Sequence, residues 1–371
     1  MQFDPRPVKE SFALIEPAAV RAIAYFYGHL FAAHPRLRAL FPPAMNVQRE
    51  RLFRALTRIV WSLDCPPGLT TDLARLGCDH RKYGVTPAHY AAVGDALLAT
   101  VRRFAAEAWS PEVERAWAAA YATAAEIMIE AAAADTSPPW WPAEVIGHER
   151  RTRDIAVLTL RPALPFPFLP GQYATVQTAR WPRVWRAFSI ANAPRADNTL
   201  RLHVRAVPGG WVSTTLTRRT RVGDTLMLGP ARGTMTAPAP SGRDILAVAG
   251  GTGLAPLKAI IEAVIAADSP RPRVHLLYGA RSGGELYDLP DLIRMRARSP
   301  RLQVLPVVSA EPAYEGLHGT LPDVIGHFPS WRDHDAFVCG PPAMVGQAVR
   351  RLRQDGMPPD HIHHDRHPEE H

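Results

Sequence analysis

The sequence is poor in cysteine and has no long uninterrupted apolar run. Its three cysteines, Cys65, Cys78 and Cys339, are too few and too scattered for a disulfide framework or a zinc site. No stretch approaches the roughly 18 apolar residues of a membrane-spanning helix, and residues 1–10 lack the apolar core of a signal peptide. These absences predict a soluble cytoplasmic protein that does not engage a membrane.

The formal net charge of +8 is carried mostly by dispersed arginines rather than by a charged block. This distribution favours solubility and the attraction of anionic cofactors, and it argues against nucleic-acid binding. With 47% hydrophobic residues over 371 positions, the chain is long enough for two or three globular domains. We expect a monomer whose partners are small molecules.

Residues 1–135 are poor in glycine and have apolar residues at intervals of three and four, which is typical of amphipathic helices. Apolar faces of this kind run over residues 20–31 and 52–63. Thr86-Pro87 and Ser110-Pro111 each place a capping residue before a first-turn proline. We therefore expect an all-α domain in this segment.

The rest of the chain changes character twice. Residues 136–142 are rich in proline and tryptophan and mark a linker, because a helix cannot continue through them. From 143 to 240 the apolar period is two, as at 155–160 and 200–204, which predicts a small antiparallel β-barrel. From 241 to 371 buried strands alternate with apolar helices, which predicts an α/β domain with a parallel sheet.

Three short motifs follow one another in the predicted barrel: Pro170-Gly171-Gln172-Tyr173, Arg186-Ala187-Phe188-Ser189 and Gly209-Gly210-Trp211-Val212-Ser213. The planar fork of an arginine matches phosphate, and glycines let backbone approach a diphosphate at a helix start. An aromatic residue on a strand is, by itself, usually part of a core. The three motifs in this order resemble the flavin domain of the ferredoxin-reductase family.

That resemblance implies that the barrel binds FAD. Phe188 would cover one face of the isoalloxazine, Arg186 would pair with the pyrophosphate, and the Ser189 hydroxyl would lie near the flavin N5. Phe188 stands where tyrosine is commoner, so the stacking is kept and one hydroxyl donor is lost. The FAD-binding residues implied are Tyr173, Arg186, Ala187, Phe188, Ser189, Gly210, Val212 and Ser213.

A glycine-rich loop follows the buried strand at 244–249 and precedes an apolar helix. Glycines in this place let backbone amides reach a pyrophosphate. With the later run Cys339-Gly340-Pro341-Pro342, the pattern resembles the pyridine-nucleotide half of the same reductases, in which the cysteine lines the nicotinamide pocket. The residues implied for NAD(P)H binding are Gly251, Thr252, Gly253, Leu254, Ala255, Pro256, Cys339, Gly340 and Pro341.

Charged residues beyond the next strand bear on the choice between NADH and NADPH. Arg281 lies where a 2′-phosphate could sit, but Glu285 would repel it, and Asp288 and Asp291 add negative charge in the same region. We therefore expect NADH to be preferred, with NADPH as the alternative.

The helical segment contains, in order, Tyr25-Phe26-Tyr27, Leu40-Phe41-Pro42, Gln48-Arg49-Glu50 and Asp79-His80-Arg81-Lys82-Tyr83. Taken singly, such residues are more often core or surface. In this order and spacing they resemble the haem domain of a bacterial flavohaemoglobin. The resemblance implies a b-type haem with His80 as the iron ligand. It also implies Tyr27 and Gln48 as distal catalytic residues and Phe41 as a ring wedged against the porphyrin.

The sequence departs from that family on the proximal side. Tyr90 falls at the tyrosine of the family's proximal relay, but Ala132 occupies the position of the relay glutamate. Glu130 is two residues short of it, a rotation of about 200° on an α-helix. Asp79 replaces a lysine before the proximal histidine. In the tail, His367 stands where the family has an aromatic residue over the flavin, although this tail could be merely solvated. We interpret the chain as a divergent subclass.

The resemblance extends over nearly the whole chain and implies electron transfer from NAD(P)H through FAD to haem. The first interpretation is a nitric oxide dioxygenase, which converts nitric oxide and O₂ to nitrate. A second is a flavohaem oxidoreductase with another electron donor or acceptor, which the missing relay glutamate favours. A third is an oxygen-binding or oxygen-sensing globin, although storage of oxygen needs no flavin.

Overall fold

The computed structural model describes residues 4–237, 242–267, 269, 272–328 and 330–364. The described chain forms two compact units, of which one ends at Trp140 and the other begins at Trp141. Within these ranges no helix has the length and apolar character needed to cross a membrane. His367, predicted over the flavin, lies outside the described residues.

The first unit is helical, as its period of three and four residues predicts. Its described helices are α1 (Arg6–Ile15), α2 (Ala19–Ala33), α3 (Asn46–Trp61), α4 (Pro66–His80), α5 (Pro87–Phe104) and α6 (Pro111–Ala134). The two predicted caps are present. The Thr86 amide donates to His89 Nδ1 at 3.1 Å, and Ser110 Oγ accepts from the Val113 amide at 3.2 Å.

A glycine determines how closely two helices of this unit pack. A Cβ atom on Gly77 of α4 would lie 2.2 Å from the Met128 carbonyl oxygen of α6, so the two backbones are in direct contact there. Close by, Cys78 Sγ donates to the carbonyl of Ala131 at 3.5 Å. Because His80 ends α4, this crossing fixes the position of the predicted iron ligand.

The second unit begins with an antiparallel barrel and a short helix. The elements are β1 (Trp141–Arg150), β2 (Ile155–Pro162), β3 (Tyr173–Thr178), β4 (Arg186–Ser189), β5 (Leu200–Arg205), α7 (Trp211–Arg218) and β6 (Thr225–Leu228). These six strands pair in the order β4-β3-β6-β1-β2-β5, and a bridge from Ile190 to Leu202 brings the two edge strands together. The barrel is therefore nearly closed, as predicted. β1 includes Trp141 and Pro142, the last two residues of the predicted linker.

β5 has two faces of opposite character, because side chains alternate along a strand. Its apolar residues are buried in the barrel core: Leu200, Leu202 and Val204. Its polar residues lie on the outer face, toward the α/β half of the same unit: Arg201, His203 and Arg205. His203 Nδ1 is 2.8 Å from the hydroxyl of Tyr287, which belongs to that half.

The remainder of the second unit is an α/β sheet with helices on both faces. The elements are β7 (Asp244–Gly250), α8 (Leu254–Ala266), β8 (Val274–Ala280), α9 (Leu289–Arg298), β9 (Leu302–Val308), β10 (Leu317–His318), α10 (Leu321–Ile325), β11 (His334–Cys339), α11 (Pro342–Gln354) and β12 (Ile362–His364). The strands are parallel in the order β10-β9-β8-β7-β11-β12. α8 and α9 pack on one face, and α10 and α11 on the other. The predicted fold classes are confirmed.

Candidate functional site

The distal side of the predicted haem site centres on Tyr27 of α2. Its side chain is buried, and the rings of Phe31 and Phe41 lie 5.7 and 5.5 Å away between centroids. Burial raises the pKa of the Tyr27 hydroxyl to about 12, so the group is protonated at neutral pH. Gln48 at the start of α3 hydrogen-bonds this hydroxyl.

The Tyr27–Gln48 bond opposes the effect of burial, since it lowers the pKa of the Tyr27 hydroxyl. It links α2 to the start of α3 at the centre of the predicted distal side. Arg38 keeps the neighbouring loop in place, since it donates to the carbonyls of Phe41 at 3.2 Å and Pro43 at 2.9 Å.

The proximal side is built on His80, at the end of α4. His80 Nδ1 lies 2.7 Å from the carbonyl oxygen of Leu76, one turn earlier, so Nδ1 carries the proton. Burial lowers the pKa of the imidazole, which keeps it neutral and leaves the Nε2 lone pair available. A neutral imidazole with one bonded and one free nitrogen is what haem iron requires, so these residues fit a haem.

The family's proximal relay was expected to be incomplete here, because Ala132 replaces its glutamate. Glu130 is exposed on α6, as its helical position predicts, and Tyr90 is half-buried. The backbone carbonyl of Tyr90 accepts from the Tyr121 hydroxyl at 2.6 Å. Among the described residues no carboxylate is hydrogen-bonded to His80, whose partner is the neutral Leu76 carbonyl.

The barrel brings the first two flavin motifs together. β3 and β4 pair antiparallel, with Tyr173 opposite Ser189 and Ala174 opposite Phe188. Arg186, Ala187, Phe188 and Ser189 are all half-buried, and Phe188 packs against the barrel core. The Arg186 guanidinium donates to the Trp185 carbonyl at 2.9 Å. An arginine, an aromatic ring and a hydroxyl on β4, with Tyr173 opposite them on β3, are suited to holding a flavin.

The third flavin motif forms the start of α7. A Cβ atom on Gly210 would lie 2.4 Å from Ser213 Oγ and 2.6 Å from Val207 Cγ2, so only glycine fits this turn. Val212 and Ser213 are buried, so they can contribute to a cofactor site mainly through their backbone amides. Unpaired amides at a helix start attract a diphosphate, which fits FAD.

The two nucleotide motifs meet at the carboxyl edge of the parallel sheet, because β7 and β11 are neighbours. A Cβ atom on Gly253 would lie 2.4 Å from the Cys339 carbonyl oxygen. Gly340 has a φ of 156°, a conformation that favours glycine. The residues Leu254, Ala255 and Pro256 are buried in α8, so they can meet a nucleotide only through the backbone.

Arg205 also lies at this edge of the sheet, although no motif in the sequence analysis includes it. A Cβ atom on Gly251 would lie 3.4 Å from the Arg205 guanidinium, so this cation faces the glycine loop. The signal that could have found it is the alternation of β5, which puts a basic residue on the strand's outer face. The same alternation identifies His203.

The charges near the predicted 2′-phosphate position require one correction. Arg281 is exposed and pairs with Glu285 at 3.1 Å, as their spacing suggests. Asp288 is fully buried and lies 2.6 Å from Lys258, and Asp291 lies 3.1 Å from Arg151. The expectation that these two aspartates add negative charge around the nucleotide was wrong, because each is matched by a cation.

Three protein families match successive parts of the chain. Globin matches residues 24–128, the Oxidoreductase FAD-binding domain matches residues 142–236, and the Oxidoreductase NAD-binding domain matches residues 247–350. These segments correspond to the helical unit, the barrel and the α/β sheet.

Relatives are similar over the whole chain or over its second unit. A flavohemoprotein of Bordetella pertussis is 29% identical over 390 residues, which cover 96% of this chain and 95% of that protein. The ferredoxin–NAD(P)⁺ reductase component of the naphthalene 1,2-dioxygenase/salicylate 5-hydroxylase systems of Ralstonia sp. is 36% identical over 219 residues, or 58% of this chain. The chain spans 66% of that component's length.

One solved structure shows the same fold. A flavohemoglobin from Malassezia yamatoensis, crystallised with FAD and heme, superposes with a TM-score of 0.76 at 20% identity. The match covers 97% of this chain and 98% of the other.

Proposed function

This chain belongs to the flavohaemoglobin family, in which a globin domain precedes FAD- and NAD-binding oxidoreductase domains, and from this premise we propose that it is a nitric oxide dioxygenase. It is an oxidoreductase that binds haem, FAD and NAD. When bound, these cofactors supply electron transfer from NAD(P)H through FAD to the haem iron. The proposed reaction converts nitric oxide and O₂ to nitrate.

The observation that supports the proposal is a buried, protonated Tyr27 hydroxyl that is hydrogen-bonded to Gln48. A hydroxyl both donates and accepts, so Tyr27 can donate to a polar ligand while it accepts from the Gln48 amide. The rings of Phe31 and Phe41 pack around Tyr27, and apolar surroundings strengthen a hydrogen bond to a polar ligand. With haem bound, a hydroxyl donor of this kind would favour retention of O₂ until nitric oxide arrives.

Tyr27, Gln48, Phe41 and Tyr90 are thus proposed as haem-site residues with His80 as the iron ligand. The proposed flavin contacts are the aromatic ring of Phe188, the guanidinium of Arg186 and the start of α7. For the nucleotide, the proposed contacts are the backbone of the two glycine loops and Cys339. The proposed domain boundaries are those predicted, with a linker at residues 136–142.

The test is consumption of nitric oxide by the purified protein with NADH and O₂. We expect the wild type to consume nitric oxide much faster than a mixture of free FAD and haem, with nitrate as the product. Tyr27→Phe should be slower. Tyr25→Phe, which removes a hydroxyl from the same helix, should match the wild type. A wild type no faster than the free cofactors excludes the dioxygenase.

A second candidate is a flavohaem oxidoreductase with another electron donor or acceptor. It is favoured by the neutral Leu76 carbonyl as the partner of His80, since a carboxylate partner would make the imidazole more electron-rich. Ala132→Glu tests this candidate, because it restores a carboxylate at the relay position. A variant with unchanged nitric oxide consumption would show that the relay is not what limits the reaction.

A further inference from the structure

A cavity of about 640 Å³ separates the barrel from α8 and α9 in the second unit. It is lined from the barrel side by residues that include Arg201 of β5, and from the other side by Lys258 and Glu262 of α8 and by the second half of α9. Glu262 lies two turns beyond the start of α8, about 12 Å along the helix axis from the glycine loop. The residues that line this cavity, here called the β5–α9 cleft, include none of the flavin or nucleotide motif residues.

Basic side chains dominate the β5–α9 cleft. Among the described residues, six basic side chains line it: Arg151, Arg195, Arg201, Lys258, Arg294 and Arg298. Three carboxylates line it as well: Glu149, Glu262 and Asp291. The excess of positive charge implies an anionic ligand.

The carboxylates of the cleft already have partners. Asp291 lies 3.1 Å from Arg151 and is also paired with Arg294. Glu149 lies 2.9 Å from Arg151, and Glu262 lies 3.5 Å from Arg195. These pairs account for the acidic groups without using every cation.

Two of the basic residues that line the cleft, Arg201 and Arg298, are not used in these ion pairs. In the described part of the chain neither guanidinium has an ion-pair partner, and the Arg201 Nε is buried without a hydrogen-bond acceptor. A charged guanidinium group without an acceptor or counter-ion is costly, and an anion bound in the cleft would balance the charge of Arg201. Arg298 is exposed at the end of α9, on the opposite wall of the cleft.

The surroundings of Arg201 hold it in place and are electropositive. Its amide donates to Asn192 Oδ1 at 2.6 Å, and its carbonyl accepts from the Ala191 amide at 2.8 Å, so the strand is fixed. Next along β5, the pKa of His203 is held well below its usual value by burial and then by the charges of Lys258, Arg151 and Arg201. The wall of the cleft is therefore preorganised for negative charge.

We propose that the β5–α9 cleft is a binding site for a phosphate dianion, recognised by the guanidinium groups of Arg201 and Arg298. Guanidinium binds phosphate through paired N–H···O bonds, and a phosphate with three terminal oxygens can accept from two guanidinium groups at once. A single carboxylate has two oxygens and is satisfied by one arginine. The ligand class is a phosphate monoester, and its site spans the barrel and the α/β half.

The test is isothermal titration calorimetry of full-length, FAD-loaded protein with glycerol 2-phosphate at pH 8, where phosphate monoesters are dianionic. Saturating NAD⁺ keeps the nucleotide site occupied. We expect one saturable site. Arg201→Gln and Arg298→Gln should each weaken binding about tenfold or more, by loss of charge-assisted hydrogen bonds. Arg353→Gln, an equal charge change on α11, should bind as the wild type does.

The FAD content and the thermal unfolding midpoint of each variant show that it is folded. A further variant, Arg201→Lys, keeps the positive charge but removes the planar guanidinium group. Partial binding by Arg201→Lys, between the wild type and Arg201→Gln, supports recognition by the guanidinium fork. The proposal is overturned if no saturable binding occurs at millimolar ligand, or if both glutamine variants retain wild-type affinity. Succinate that binds as tightly as the phosphate monoester would overturn the phosphate assignment.

Discussion

At the scale of single residues, the two sides of the proposed haem site supply different hydrogen bonds. On the distal side, the buried hydroxyl of Tyr27 is protonated and hydrogen-bonded to Gln48. On the proximal side, His80 donates to a backbone carbonyl, which carries no charge. The proposed site would therefore combine a distal hydroxyl donor with a proximal histidine that is less electron-donating than one paired to a carboxylate.

The distal arrangement predicts the effect of Tyr27→Phe on oxygen binding. Loss of one hydrogen bond to a polar bound ligand should speed O₂ dissociation about tenfold or more. Stopped-flow measurement of O₂ release from the reduced protein checks this value. Tyr25→Phe is the matched control, and equal rates for the two variants would contradict the role given to Tyr27.

His203 predicts a pH dependence of stability. Its folded-state pKa lies well below the ordinary value of 6.5, so below pH 6.5 the unfolded chain takes up a proton that the folded chain does not. Stability should therefore fall as the pH drops below 6.5, by up to about 1.4 kcal/mol per pH unit from this group. In His203→Asn, urea unfolding followed by flavin release should show a smaller decrease between pH 7 and 5. An unchanged slope would exclude this histidine as the cause.

The Arg281–Glu285 pair bears on the choice of nucleotide. Because Glu285 lies 3.1 Å from Arg281, a 2′-phosphate must compete with a carboxylate for that cation. We predict that wild type prefers NADH and that Glu285→Gln raises the kcat/KM for NADPH severalfold, by removal of one exposed negative charge. Steady-state kinetics with both nucleotides measure this ratio. A wild type tenfold better with NADPH would reverse the prediction.

At the scale of elements, Gly77 determines how closely α4 approaches α6. Gly77→Ala places a methyl group against the Met128 backbone and should cost about 1–3 kcal/mol in the globin unit, with weaker haem retention because His80 ends the same helix. Gly28→Ala, at an exposed position of α2 with no atom within 4 Å, should be neutral or stabilising by up to about 1 kcal/mol. Chemical unfolding and haem transfer to apomyoglobin measure both effects. Equal stability of the two variants would argue against the close crossing.

Helix and strand bounds were largely predictable because their signals are local. Proline after Ser110 marks the start of α6, and the period of two marks β2 and β5. Long-range contacts were not predictable. Nothing in the sequence indicates that Gly77 meets Met128, or that Asp288 turns inward to Lys258 rather than toward the nucleotide. Arg205 was missed because the glycine loop that it faces follows a strand of another sheet.

At the scale of the whole molecule, the cofactor content can be tested at once. The purified protein should carry one b-type haem and one FAD, and NADH under nitrogen should bleach the flavin and reduce the haem. His80→Ala should lose the haem band and keep the flavin absorbance, because its reductase unit is unchanged. Absorption spectra before and after addition of NADH record the haem and flavin content and their reduction. His29→Ala, on the exposed side of α2, is the control. Full haem content in His80→Ala would refute the ligand assignment.

The two faces of β5 limit where domains can be exchanged between related proteins. One side of the strand completes the barrel core, and the other side presents Arg201, His203 and Arg205 to the nucleotide-binding half. A crossover near residue 240 would give this strand a foreign neighbour and leave His203 without Tyr287. The flavin and nucleotide modules should therefore be exchanged as one cassette, which begins at Trp141.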